Sequence, residues 1–154
     1  MLFLTKKIIC PTDFSEPTRK GVDAAVELAE KFSAELILVY LITLASLRPA
    51  SLQRSTYLKR RKEIAQEAMA RLIAEAVPSQ IKCRSQIIGD MRVRAADAIV
   101  KLAEAADLIV LASHGQSGWG RIFFGSVAEE KKKFSLVALA GGALVAVIIV
   151  MSEA

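Results

Sequence analysis

From Leu111 to Ser126 the chain reads LASHGQSGWGRIFFGS, a stretch that holds four glycines and the only histidine. Glycines supply turn conformations that other residues adopt only at a cost, and they also let backbone N–H groups converge on an anion. Gly125 and Ser126 stand where a helix must begin, and Ser126 with Glu129 forms an S-x-x-E capping box. A helix N-terminus approached by such a loop is a natural place for a phosphate. The spacing is not that of a standard phosphate loop. From Gly120, GRIFFGS lacks the lysine of G-x-x-x-x-G-K-[ST], and GQSGWG does not open the helix directly, as a dinucleotide fingerprint would. Spacing alone leaves both a turn and a phosphate cradle open.

The other reactive side chains point to little chemistry. Cys10 and Cys83 both sit inside apolar runs, where a small buried hydrophobe is a better reading than a disulfide, a metal ligand or a nucleophile. The N-terminal MLFLTKK has too short an apolar stretch for a secretory signal, and its lysines follow that stretch. The expected compartment is therefore reducing and cytoplasmic. The net charge of +5 comes largely from YLKRRK at 57–62, EKKKF at 130–134 and MRVR at 91–94. No aromatic interleaving or binding motif accompanies these clusters, so they read as solvated helix faces and not as a nucleic-acid surface.

What positions the glycine-rich stretch is a regular alternation of short and long apolar-periodic segments, with no repeat and no low-complexity run. The 154 residues suffice for one domain with its own core, so the whole chain reads as a single domain with an atypical segment at 131–154. Residues Phe3–Cys10 read as a strand. Ser15 can cap a helix that has Pro17 in its first turn and runs to about Phe32, with Val22, Ala25, Val26 and Ala29 on its apolar face. Residues Glu35–Ile42 form the next buried strand, and Thr43–Ser55 reads as a mobile connection before a helix to about Ala76. After Pro78, residues Ile81–Ile88 alternate as an edge strand does; Asp90 can cap a helix over Arg92–Ala106, and Asp107–Ala112 is a fourth, fully buried strand.

Strands apolar on both faces and separated by long helices predict an α/β fold: a parallel sheet with helices on both faces. With right-handed crossovers the fourth strand returns beside the first, which creates a topological switch point between them. Two segments meet there, PTDFS after strand one and SHGQSGWGRIFFGS after strand four.

At these residues the sequence resembles the universal stress protein family. Its ATP-binding members carry G-x-x-G, nine residues, then G-[ST]; here the match is Ala112-Ser113-His114-Gly115, the nine residues Gln116–Phe124, then Gly125-Ser126. KKIICPTDFSEPT resembles the family's first strand and turn, and the likeness covers residues 1 to about 130. The resemblance implies a five-stranded parallel sheet of order 3-2-1-4-5, Rossmann-like and of the adenine nucleotide alpha hydrolase kind. It implies that ATP, ADP or AMP is bound. Asp13 and its neighbour Thr12 would serve the nucleoside; Pro11, Leu41 and Leu111 would line the adenine pocket. The backbone of Ala112, His114, Gly115 and Gln116 would follow the ribose and α-phosphate. Gly125, Ser126 and Val127 would hold the outer phosphates, with Arg121 able to close over them. Ala112 replaces the motif's first glycine and would cost one close backbone approach.

With Asp13 allotted to the nucleoside, no general base is evident beside the phosphates, so the expectation is a regulator or switch with at most slow ATP hydrolysis. No carboxylate cluster is evident to hold a metal alone, and Mg²⁺ or Mn²⁺ would come with the phosphates. In the tail, Gly141-Gly142 can end a helix and Ala143–Val150 can form the fifth strand, through which family dimers pair. The rival reading takes the eighteen uncharged residues Phe134–Met151 as a membrane helix tethering a regulator. A nucleotide-free dimeric stress scaffold is the other alternative.

Overall fold

The computed structural model describes residues 5–42, 54–89, 98, 101–102, 105–112, 134–138 and 145–150. In chain order the elements are β1 (Lys7–Pro11), α1 (Glu16–Phe32), β2 (Glu35–Leu41), α2 (Arg54–Ala76), β3 (Cys83–Ile88), β4 (Leu108–Ala112), β5 (Phe134–Ala138) and β6 (Val145–Val150). They build an α/β fold around one sheet of order β3-β2-β1-β4-β6-β5. The β1–β2, β2–β3 and β1–β4 pairings are parallel. Right-handed crossovers running in one direction place α1 and α2 on the same face. Between β3 and β4, Ala98, Lys101 and Leu102 are helical; the rest of the helix expected over Arg92–Ala106 lies outside the described residues, as does most of the Thr43–Ser55 connection.

β1, β2 and β4 are buried on both faces, as their unbroken apolar composition requires. Ile8, Cys10, Leu36, Leu38, Leu108 and Val110 pack with Val22, Ala25 and Ala29 of α1 and with Met69 and Leu72 of α2. The alternate residues Ile9, Ile37, Val39, Ile109 and Leu111 are equally buried on the opposite face. β3 is the wet edge strand, with Arg84, Ser85 and Gln86 exposed. Glu35 links this edge to its neighbour through Lys82 (3.1 Å) and Arg84 (2.9 Å). Those contacts, the Lys82 hydrogen bond foremost, hold its carboxyl below the usual carboxylate range against a smaller opposing effect of burial. At the amino end of the sheet, Asp107 Oδ2 accepts the backbone N–H groups of Lys6 (2.9 Å) and Lys7 (3.0 Å), which pins β4 against β1.

Beyond β4 the sheet departs from a single parallel fifth strand. The expected strand at Ala143–Val150 is β6, and it does lie beside β4, but antiparallel, with Val110 opposite Val147. The segment expected to be helical before Gly141 contains a further strand, β5, antiparallel to β6. A parallel crossover needs a dozen or more residues, and only 139–144 separate β5 from β6, so the two can pair only in opposite directions. This arrangement bears on two readings of the tail, the rival membrane helix and pairing of two copies through the last strand. Strands at 134–138 and 145–150 are incompatible with one membrane helix over Phe134–Met151, and no described helix is long and apolar enough to cross a membrane. The last strand, β6, is paired on both sides and has no free edge for a second copy; the outer edge belongs to β5.

Candidate functional site

β1 hands the chain to α1 through Thr12, Asp13, Phe14 and Ser15, at the carboxyl end of the sheet. β2 lies on one side of β1 and β6 on the far side of β4, so the order of the sheet reverses at the β1–β4 boundary, its topological switch point. Pro11, Leu41 and Leu111 are all buried at this end. The pleat sets all three on one face, opposite the one covered by α1 and α2: Ile9 pairs with Ile37 and with Ile109, and each of the three lies an even number of residues further along its strand. Three apolar side chains thus share the face on which the expected adenine pocket would be built. The backbone of Ala112 closes β4, opposite Val145. His114, Gly115, Gln116, Arg121, Gly125, Ser126 and Val127 lie outside the described residues.

The turn itself is held by a buried hydroxyl–carboxylate network. The Thr12 N–H donates to the Val39 carbonyl (2.8 Å), which extends the β1–β2 ladder by one residue. Thr12 Oγ1 accepts the Phe14 N–H (3.1 Å), and Asp13 Oδ1 accepts the Ser15 N–H (3.0 Å), two side chains each bonding the backbone two residues on. Asp13 Oδ1 also accepts a short hydrogen bond from Ser15 Oγ. Thr18 Oγ1 lies 2.8 Å from Asp13 Oδ1 and 2.9 Å from the Ser15 carbonyl, so its single proton serves either acceptor. Thr12 Oγ1 and Ser15 Oγ each sit 3.2 Å from the same hydroxyl. Thr12 and Thr18 are 1% exposed, a depth at which polar groups are retained only when bonded. Ser15 has the extended backbone expected of an N-cap, but its hydroxyl is turned to Asp13 Oδ1 and caps no first-turn amide.

Two unfavourable features flank this network. Phe14 has φ of 65°, the left-handed region, which costs a side-chain-bearing residue about 1–3 kcal/mol. Its ring stacks on Tyr40, one residue before the end of β2, with centroids 5.0 Å apart and planes 27° from parallel. The Tyr40 hydroxyl in turn accepts from Arg61 Nη2 of α2 (2.8 Å). Arg61 Nε is buried and has no partner among the described residues, an omission that costs about 1–3 kcal/mol. Sequence reasoning missed Phe14, Thr18, Tyr40 and Arg61. Arg61 was hidden in the KRRK run read as a solvated face, yet it and Lys62 are half-buried while Lys59 and Arg60 are exposed. The one signal available was Tyr40 itself, a polar aromatic within the apolar run of β2.

Beside the turn, between α1 and α2, lies a cleft of about 300 Å³ bordered by Thr12, Phe14, Arg19, Arg71 and Glu75, among others. Of the expected nucleotide-binding residues that are described, Thr12 alone borders it, and Arg19 there is paired with Glu75 (3.4 Å). No group of three or more His, Cys, Asp or Glu residues is placed to hold a metal among the described residues. Burial raises the Cys10 thiol far above its ordinary range, and burial, with Glu35 adding to it, pushes Cys83 up to about 11. Neither cysteine has the depressed pKa of a nucleophile.

An open α/β sheet with a switch point at β1–β4 defines a class of proteins that bind ligands at the carboxyl ends of the strands. Within that class the sequence matches the universal stress protein family over residues 5–130, and the chain belongs to that family. It is similar to the universal stress protein MJ0531 of Methanocaldococcus jannaschii, with 32% identity over 130 residues, 82% of this chain and 75% of the relative. Among solved structures, hypothetical protein MJ0577, the subject of a structure-based assignment of biochemical function, matches with a TM-score of 0.61 and 26% identity, over 82% of this chain and 87% of that one. The fold is also that of the universal stress protein UspA from Lactobacillus plantarum, with a TM-score of 0.61 and 22% identity over 81% and 88% of the two chains. A universal stress protein solved in complex with cAMP shares it too, with a TM-score of 0.50 and 24% identity over 82% and 86%.

Proposed function

We propose that this universal stress protein binds an adenine nucleotide at the carboxyl ends of β1 and β4 and acts as a stress-response switch. The observation that carries the reading is the turn bearing Asp13 at the end of β1, with the buried Pro11, Leu41 and Leu111 on one face at the carboxyl ends of β1, β2 and β4. The apolar trio would receive the adenine and Asp13 would accept hydrogen bonds from the nucleoside. The 112–127 segment would hold the phosphates through the amides of Gly115, Gly125, Ser126 and Val127, bringing Mg²⁺ or Mn²⁺ with the nucleotide. A relative of this fold solved with cAMP supports the nucleotide class. The reading expects a homodimer in the cytoplasm and hydrolysis that is slow at most. Mass spectrometry of small molecules released from freshly purified, denatured protein should find ATP, ADP or AMP. Calorimetry should give micromolar affinity that Asp13→Ala or Gly125→Val weakens; an intact protein that binds no adenine nucleotide refutes the proposal.

A further inference from the structure

We infer that the Phe14–Tyr40–Arg61 stack is a positioning device through which α2 sets the geometry of the β1–α1 turn, and hence ligand affinity at that turn. The effect on affinity rests on the nucleotide-binding reading above; the effect on the turn does not.

The two unfavourable features of the region meet at one ring pair. Phe14 is the residue between the two side-chain-bonded turns of Thr12 and Asp13, and its left-handed backbone is what aims the following Ser15 N–H at Asp13 Oδ1. Glycine is the residue that adopts this conformation freely, and phenylalanine brings instead a ring for Tyr40 to grip. Tyr40 is held in its turn by Arg61, whose guanidinium forgoes a partner at Nε while donating from Nη2 to the phenol oxygen. A strained residue persists only where its surroundings over-determine it, and the ring stack is the surrounding this structure provides. The chain of contacts runs from α2 to β2 to the turn, with Tyr40 on the face of β2 opposite that of Leu41. Arg61, Tyr40 and Phe14 thus act through Asp13 and are positioning residues.

The device is tested on the full chain with Tyr40→Phe, which keeps the ring and loses the Arg61 bond, Arg61→Met, which keeps the aliphatic stem, and Phe14→Leu, which loses the stack. Amide hydrogen exchange of the ligand-free protein is read at Phe14 and Ser15, with Leu38 in the core as the reference. Each variant should exchange about tenfold faster at Phe14 and Ser15, the loss of one charge-assisted hydrogen bond or one aromatic pair, with Leu38 unchanged. Unchanged exchange at Phe14 and Ser15, or an equal acceleration at Leu38, overturns the inference. Calorimetric titration with ATP should then show Kd raised about tenfold in the same variants. Faster exchange with Kd unchanged overturns the link to affinity. A wild-type protein that binds no adenine nucleotide refutes the reading of the site, and exchange alone then decides the positioning role.

Discussion

Thr18 gives the sharpest test of how the β1–α1 turn is held. Its hydroxyl lies within hydrogen-bonding distance of Thr12, Asp13 and Ser15 together, and the residue is 1% exposed. Thr18→Val keeps the shape and removes the hydroxyl, so Asp13 Oδ1 loses a donor at 2.8 Å and the Thr12 hydroxyl loses its partner at 3.2 Å. A hydrogen bond to a charged group contributes about 1.5–3 kcal/mol and a buried unmet polar group costs a similar amount, so the variant should lose about 2 kcal/mol. For a chain of this length that lowers Tm by about 4–8 °C. Thr18→Ser keeps the hydroxyl and deletes one methyl, which should cost only about 0.8 kcal/mol. Scanning calorimetry with parallel urea unfolding at neutral pH measures both. A Thr18→Val protein as stable as the parent, or one more stable than Thr18→Ser, would show that the network does not hold the turn.

Leu38→Ala, which truncates a side chain of 0% exposure between α1 and α2, should cost about 2–5 kcal/mol, read as a lower urea midpoint at constant m. Iodoacetamide at pH 8 should label Cys83 slowly, because with a pKa of about 11 only about one thiol in a thousand is ionised, and should leave Cys10 unlabelled until the protein unfolds. Glu35 is held below its ordinary value of 4.5, so its contribution to stability is fully present above about pH 5 and is lost as pH falls through the lowered value. Glu35→Gln should therefore flatten the dependence of Tm on pH below about pH 5; an acid limb identical to the parent's would refute the assignment.

The legible parts of the fold are those dictated by a single period. β1, β2 and β4 are apolar on both faces, so their runs mark buried parallel strands, and α1 carries Val22, Ala25, Val26 and Ala29 on the face it buries. Pro11, Leu41 and Leu111, the residues expected at the adenine pocket, share one face of the sheet because period-two alternation and strand order suffice to place them there. The turn was only half legible: Asp13 and Ser15 are turn-forming types, but nothing in the identity of Phe14 signals a left-handed backbone, since the residue that signals it is glycine. Arg61 and Tyr40 lie on either side of a long connection, and no local pattern reveals their pairing.

The tail was misread for a different reason. Its apolar stretch has no charge to mark a face, and short apolar runs fit helix and strand alike. The decisive constraint is the connection length: β-branched VAVIIV following FSLVA across only 139–144 leaves room for an antiparallel pair and none for a parallel crossover. Once β5 and β6 pair with each other, β6 completes the free side of β4 and carries β5 to the rim. The free edge on this side of the sheet therefore moves from Val145–Val150 to Phe134–Ala138, and a charged substitution on β6 would perturb the sheet itself, paired as it is on both sides.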